Sequence, residues 1–461
     1  MFRKALTIFA SGQARPLADL TPVQTARRYQ RLRRLTFVAI TLGYSFYYTT
    51  RGSLAVAKKP LLASGLLSAT ELGLLGSALL FTYAFGKLCN GLLADRAHIG
   101  RFMALGLFFS ALLNILFGFG GPLSLLVLLW AANGWFQSMG SAPSVVNITQ
   151  WFGRREQGTR YSLWSIAHSL GEGMTFAGTA YLVAHCGWQF AFWAPGAVCL
   201  IVAVAVWFTV LDRPVTHGLP PVAVFEREVE PTPPTTSTPG GWRQQLRVLT
   251  LLPVWIFGLA SALLYVARYG LNSWLILYLQ EAKGYDLVDA GVTTSLVSVV
   301  GVVGTILAGP LSDRFFGSRR QPVLIGYGTL LVLALLGLYL VPPGHRLVDS
   351  VAVGAAGFAI GGMLVFLGGL MAVDICPREV TGAATGLVGL LSYLGAAFQD
   401  WTSGVLLEQG KTLVAGQPVY SFDRVFVFWI GAALLSLVLT LSLRWVKGAE
   451  RITPVGVQEA T

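Results

Sequence analysis

Three cations stand inside long apolar stretches of the chain: Arg51, Lys87 and Arg268. An ionised side chain at the centre of a bilayer costs about 2.5–3.5 kcal/mol on insertion scales, so each calls for an anionic partner or an anionic visitor. Guanidinium groups grip phosphate or carboxylate through paired N–H donors and stay charged at any physiological pH. Two of them suit a dianion, with Lys87 as a third contact or an orienting point charge. The acids deep within the same stretches are Glu172 and Asp400, so the buried cations outnumber them and an anion site is expected. Each of these acids can instead partner an arginine or carry a proton. His168, in Trp164-Ser-Ile-Ala-His168-Ser-Leu-Gly171-Glu172, either binds or titrates with phosphate or is a satisfied packing element. Tyrosines accompany the cations: Tyr44, Tyr47 and Tyr48 before Arg51, Tyr83 before Lys87, Tyr265 and Tyr269 about Arg268, and Tyr393 later in the chain. Their hydroxyls can bond phosphate or sugar oxygens while their rings exclude water.

Those residues must be positioned by membrane helices. Of the 461 residues 54% are hydrophobic and only 12% charged, which excludes an ordinary soluble domain with its roughly 25% charge. About 20 apolar residues cross a bilayer as a helix, and the pattern yields twelve such windows. They are 34–57, 71–94, 101–120, 122–147, 159–184, 188–211, 251–280, 289–315, 321–341, 348–376, 381–408 and 422–444. The expected fold is an all-α membrane protein of two six-helix halves. A basic N-terminal segment (1–33) precedes the first half (34–211); a Glu-, Pro- and Thr-rich linker (212–250) that reads as solvated leads to the second half (251–444), and a short tail (445–461) follows. Most of the 33 Lys and Arg residues fall in alternate loops, on the side that also holds both termini, and the positive-inside rule makes that side cytoplasmic. The same distribution removes nucleic acid as a reading of the +12 net charge.

The halves repeat one another. Gly91-Leu-Leu-Ala-Asp95-Arg96, with Arg101 following, returns as Gly309-Pro-Leu-Ser-Asp313-Arg314, with Arg319 following, at an offset of 218. Independently, Tyr48-Thr-Thr-Arg51 answers to Tyr265-Val-Ala-Arg268 at 217. Two unrelated features sharing one repeat length indicate duplicated halves, which sets Arg51 opposite Arg268 across a pseudo-two-fold axis. The duplicated Asp-Arg turn is either a charge lock between helix ends that couples to opening and closing, or a basic turn that enforces topology.

Other chemistry lacks its parts. The chain has no phosphate loop, zinc pattern or nucleophile elbow, so an ATP-driven pump and a hydrolase are both disfavoured and no enzyme activity is expected. Cys89, Cys186, Cys199 and Cys376 show no paired spacing; neither a disulfide, a metal nor a cofactor is expected.

The segments Gly43-Tyr44-x-x-Tyr47-Tyr48-x-x-Arg51, Tyr83-x-x-Gly86-Lys87, Asn133-Gly-Trp-Phe-Gln137 leading to Pro143, Arg268-Tyr-Gly, and Gly386-Leu-Val-Gly-Leu-Leu-Ser-Tyr393-Leu-Gly395 carry a family likeness. Over nearly its whole length the chain resembles the organophosphate:phosphate antiporters of the major facilitator superfamily. That resemblance implies a substrate phosphate held between Arg51 and Arg268, with Lys87, His168 and several tyrosines nearby. Departures fall elsewhere: Ser165 and Ser169 replace asparagines, Glu172 stands where glycine is usual, and Asn272 and Ser273 lie where some members carry an acid. The phosphate end is retained and the organic end is changed. The reading is a monomeric transporter of a bacterial inner membrane that exchanges a hexose phosphate or glycerol 3-phosphate for inorganic phosphate by alternating access. Its rivals are a membrane sensor of sugar phosphate on the same scaffold and a proton-coupled anion symporter using Glu172 and Asp400.

Overall fold

The computed structural model describes residues 11–18, 20–94, 96–226, 252–316, 320–367, 381–414 and 417–442. Helices occupy all twelve apolar windows. The first half holds α1 (Pro22–Ala63), α2 (Ala69–Ala94), α3 (Ile99–Phe117), α4 (Leu123–Gln137), α5 (Ser141–Trp151), α6 (Arg154–Met174), α7 (Ala180–Cys186) and α8 (Phe190–Thr209). Here α4 and α5 share one window across a break at Ser138–Gly140, and α6 and α7 share another across a π-helical turn at Thr175–Thr179. A short helix, α9 (Val222–Phe225), precedes the second half, which holds α10 (Leu252–Glu281), α11 (Leu287–Phe316), α12 (Arg320–Leu340), α13 (Arg346–Val365), α14 (Thr381–Gln409) and α15 (Asp423–Ser442). A hairpin of β1 (Lys411–Val414) and β2 (Gln417–Tyr420) links the last two.

Among the described residues eight helices are long and apolar enough to cross a membrane: α2, α3, α8, α10, α11, α12, α13 and α15. The remaining windows belong to α1, the broken pairs α4–α5 and α6–α7, and α14. Three of these four carry the polar groups singled out above, Arg51, His168 with Glu172, and Asp400, which is why their apolar signal is weaker.

α1 begins at a capping box, with Thr21 Oγ1 accepting from the Gln24 amide and the Gln24 side chain accepting from the Thr21 amide. It runs 42 residues, six past the window read from hydropathy, and that extension carries Lys58 onto a buried face. We call the end at which α1 begins basal and the other distal. Residues 212–226, expected as the start of a solvated linker, instead pack on the basal end. Asp212 accepts from the Gly12 and Ile99 amides at 2.9 and 3.2 Å, Phe225 stacks on Tyr29 at 3.9 Å, and Glu226 pairs with Arg33 at 2.9 Å. Composition hid this because short apolar patches, Val222 to Phe225, suffice to cover the foot of α1. The rest of the linker, the tail and Cys376 lie outside the described residues.

The halves meet through α1 with α10, α2 with α14, and α6 with α11. The last two pairings exchange under the pseudo-two-fold relation, since α2 corresponds to α11 and α14 to the α6–α7 window. Glycine lets these helices touch: a Cβ on Gly76 would overlap the Asp400 carboxylate, and one on Gly291 would overlap the Phe176 carbonyl. Both contacts lie in the distal part of the bundle. Gly76→Val should therefore destabilise the protein by about 1–3 kcal/mol through overpacking, read as a lowered thermal midpoint in detergent. Gly91→Ala, on the same helix but with open space around it, should hold or raise that midpoint.

Candidate functional site

Arg51 is fixed by the helix it sits on. A buried polar network clamps α1 to α3 and α4: Asn114 and Asn133 amides donate to the Thr50 carbonyl at 2.9 and 3.1 Å, and Gln137 donates to the Tyr47 carbonyl at 2.9 Å and to Thr50 Oγ1 at 2.8 Å. Ser110 Oγ ties the same group together, at 2.6 Å from Asn133 Oδ1. Mid-helix carbonyls rarely accept from outside their own helix, so these double acceptors fix the rotation of α1 and turn Arg51, the next residue round the helix, toward the boundary between the halves.

There the guanidinium meets aromatic groups from four helices. Its Nη2 donates to the Tyr269 hydroxyl at 2.8 Å, and its Cζ lies 4.5 Å from the Tyr83 ring centroid, 5.5 Å from Tyr269, 5.6 Å from Tyr393 and 5.7 Å from Tyr48. Ring faces stabilise the cation partly. Among the described residues no carboxylate comes within salt-bridge reach of it. Arg268, on α10, shares the same ring, its Cζ 5.4 Å from Tyr269 and 5.5 Å from Tyr265. Unlike Arg51 it has an acid: Glu172 Oε1, from the other half, stands 3.7 Å away. Glu172 also accepts from Asn272 at 3.0 Å and from Ser298 at 2.9 Å.

Around this pair the other expected residues fall into place unevenly. Tyr83, Tyr265 and Tyr393 form a contiguous aromatic cluster, with centroids 4.6 and 5.4 Å apart along it. Tyr48 reaches His168 at 6.0 Å, and Tyr44 backs Tyr48 with their hydroxyls 3.4 Å apart. His168 bonds the Ser165 carbonyl through Nδ1 and the Ser169 hydroxyl through Nε2 at 3.2 Å, so both ring nitrogens have local partners. Lys87 is exposed rather than buried, with its ammonium 5.4 Å from the Tyr393 ring. It lies about two turns from the basal end of α2 at Ala94.

The second acid belongs to a different cation. Asp400 Oδ1 accepts from Ser273 at 2.8 Å and Trp274 at 2.5 Å and pairs at 3.4 Å with Lys58, which is 0% exposed and also donates to Ser273 at 2.7 Å. Lys58 was missed because hydropathy ended the first span at residue 57. A second basic residue on the distal side, Lys59, pairs with Glu281 across the halves at 2.9 Å. The duplicated Asp-Arg turn is visible in part: Asp95 and Arg319 lie outside the described residues. Asp313 is bridged at 2.7 Å to Arg320, one place beyond the expected arginine, joining the end of α11 to the start of α12; Arg314 makes no ion pair among the described residues. Arg96 is exposed, and Arg101 lies 5.7 Å from the Trp207 ring.

Cavities follow these groups. One of about 60 Å³ is bordered by Tyr48, Arg51, Glu172, Tyr269, Asn272 and Asp400; a smaller one of about 20 Å³ adjoins His168, Glu172, Arg268 and Asn272. A larger space of about 310 Å³ leads from His168 between Ser162 and Ser165 of α6 and Thr305 and Gly309 of α11, toward the basal end. The arrangement is a cationic, tyrosine-walled centre sealed distally by ion pairs and approached basally.

The matching family model is that of the Major Facilitator Superfamily, over residues 40–399. The chain is 33% identical over 83% of its length to a membrane sensor protein UhpC of Salmonella typhimurium, covering 87% of that protein. It is 32% identical over 91% of its length to a glycerol-3-phosphate transporter of Bacillus subtilis, covering 94% of it, and 31% identical over 88% to a phosphoglycerate transporter protein of Salmonella typhimurium, covering 89% of it. A solved bacterial homologue of the human lysosomal transporter Spinster, inward-facing and unoccupied, superposes with a TM-score of 0.73 at 17% identity, covering 92% of this chain and 99% of that one. The chain belongs to the Major Facilitator Superfamily and, within it, to the organophosphate:phosphate antiporter group.

Removing one member of the fully buried Lys58–Asp400 pair strands a charge, at a cost of about 3–5 kcal/mol. Lys58→Met should lower the thermal midpoint in detergent accordingly, and adding Asp400→Asn should recover much of the loss. A midpoint unchanged by the single substitution would show the pair to be dispensable.

Proposed function

We propose that the protein exchanges a phosphorylated small metabolite for inorganic phosphate across the membrane, with Arg51 and Arg268 as the principal contacts to the phosphate and Lys87, His168 and the tyrosine cluster beside them. The observation that carries this reading is the unmatched charge of Arg51. Lys58 has Asp400 and Arg268 has Glu172, while among the described residues Arg51 meets tyrosine rings and one hydroxyl and no carboxylate. A phosphate ligand supplies the missing anion, and two N–H donors of one guanidinium can hold it bidentately.

Exchange follows from the same imbalance. Closing the site around an unpaired guanidinium would leave a cation in low dielectric, whereas either phosphate ligand neutralises it, so crossing between open states is easy when loaded and hard when empty. The basal end is taken as cytoplasmic, in line with the basic loops and the inner membrane expected for the bacterial relatives. With the distal end closed by Lys58–Asp400 and Lys59–Glu281 and the larger cavity leading basally, the conformation is then inward-facing. The names of the relatives support a phosphorylated cargo, and this chain's likeness to a membrane sensor protein favours one second reading: binding and signalling without useful flux.

Proteoliposomes preloaded with inorganic phosphate decide between them. Labelled phosphate should enter in exchange without a pH gradient, and Arg51→Lys or Arg268→Lys should slow entry about a hundredfold, as expected for losing a charge-assisted bidentate contact worth about 2–3 kcal/mol. Binding without entry would favour the sensor, and near-normal exchange in both variants would refute the site.

A further inference from the structure

The organic end of the ligand leaves its own trace, which is read here on the assumption that the site takes phosphorylated metabolites. Asn272 is only 8% exposed and borders both small cavities. Its amide nitrogen donates to Glu172, and because a carboxylate only accepts, the amide oxygen must point the other way. That Oδ1 is buried and has no hydrogen-bond partner. Buried acceptors are almost always satisfied, so an orphan beside a binding cavity marks where a donor from the ligand belongs.

Neighbouring groups sharpen the demand. Both oxygens of Glu172 already accept, from Asn272 and Ser298, and Arg268 is turned toward this same carboxylate. Asp400 closes the cavity's other side with its Oδ1 occupied by Lys58, Ser273 and Trp274. A second anionic group on a ligand would therefore meet two carboxylates, an orphaned acceptor and, in Arg268, a guanidinium already shared between Glu172 and the phosphate. An ammonium group gains little, since each carboxylate has its cation. A neutral hydroxyl fits: it donates to Asn272 Oδ1 and adds no charge.

We propose that Glu172 and Asn272 form a subsite for the organic portion of the ligand, selecting phosphorylated polyols and sugars by their donating hydroxyls and rejecting phosphorylated acids. Rejection by an unsatisfied or repulsive polar pocket is a strong form of specificity.

The test is competition against labelled inorganic phosphate bound to the purified full-length chain in detergent. Glucose 6-phosphate and glycerol 3-phosphate should displace it at concentrations at least about tenfold lower than 3-phosphoglycerate. Glu172→Gln should bind 3-phosphoglycerate at least about tenfold more tightly than the parent, a gain that misfolding cannot mimic, and Asn272→Leu should weaken glucose 6-phosphate and glycerol 3-phosphate about tenfold. Equal displacement by all three compounds in the parent chain, or an unchanged ranking in Glu172→Gln, overturns the subsite. The expected ranking in a protein that exchanges nothing in vesicles would sink the transport reading and leave the subsite standing, whereas binding of no phosphorylated compound overturns both.

Discussion

A cation held away from water must be matched, and the interior of this protein is organised by how that demand is met. Lys58 is matched by Asp400 and Arg268 by Glu172, each across the two halves of the molecule. Arg51, half-buried, is met among the described residues by the faces of four tyrosines and one hydroxyl. Ring quadrupoles soften a buried charge without cancelling it. One charge is thus left without a carboxylate among the described residues, while its neighbours hold the halves together around it.

The pairings also give the bundle direction. Distal contacts are tight because glycines on α2 and α11 let opposing helices touch, and because the ion pairs of Lys58 and Lys59 cross the same boundary. Basally the helices α6 and α11 part around the larger cavity. Under the exchange proposed above, the reverse state would have to break the distal pairs and separate helices now joined through glycine. Such a boundary is bistable rather than continuously deformable, since a packed interface is either made or unmade.

Behind the site, the amides of Asn114, Asn133 and Gln137 spend their hydrogen bonds on backbone carbonyls of α1. This explains why the segment Asn133-Gly-Trp-Phe-Gln137 belongs to the family likeness although none of its side chains borders the central cavity. It sets the rotation of α1, and through it the direction of Arg51. Of the departures from that likeness, Glu172, Asn272 and Ser273 border the same cavity.

Much of this was legible in the chain itself. Apolar windows of bilayer length, basic loops in alternation and a repeat of about 218 residues sufficed for the helical class and the two related halves, because helix length and water–lipid partition act on local sequence. The same penalty on buried charge singled out Arg51 and Arg268. Partnership was not legible. That Asp400 serves Lys58, that Glu172 serves Arg268, that Lys87 is exposed, and that Asn272 keeps an unsatisfied oxygen are outcomes of how helices distant in sequence rotate and pack. Periodicity places a residue on its own helix, but only the tertiary arrangement places it against another, and hydrogen bonds and ion pairs are decided over a few ångströms of that second distance.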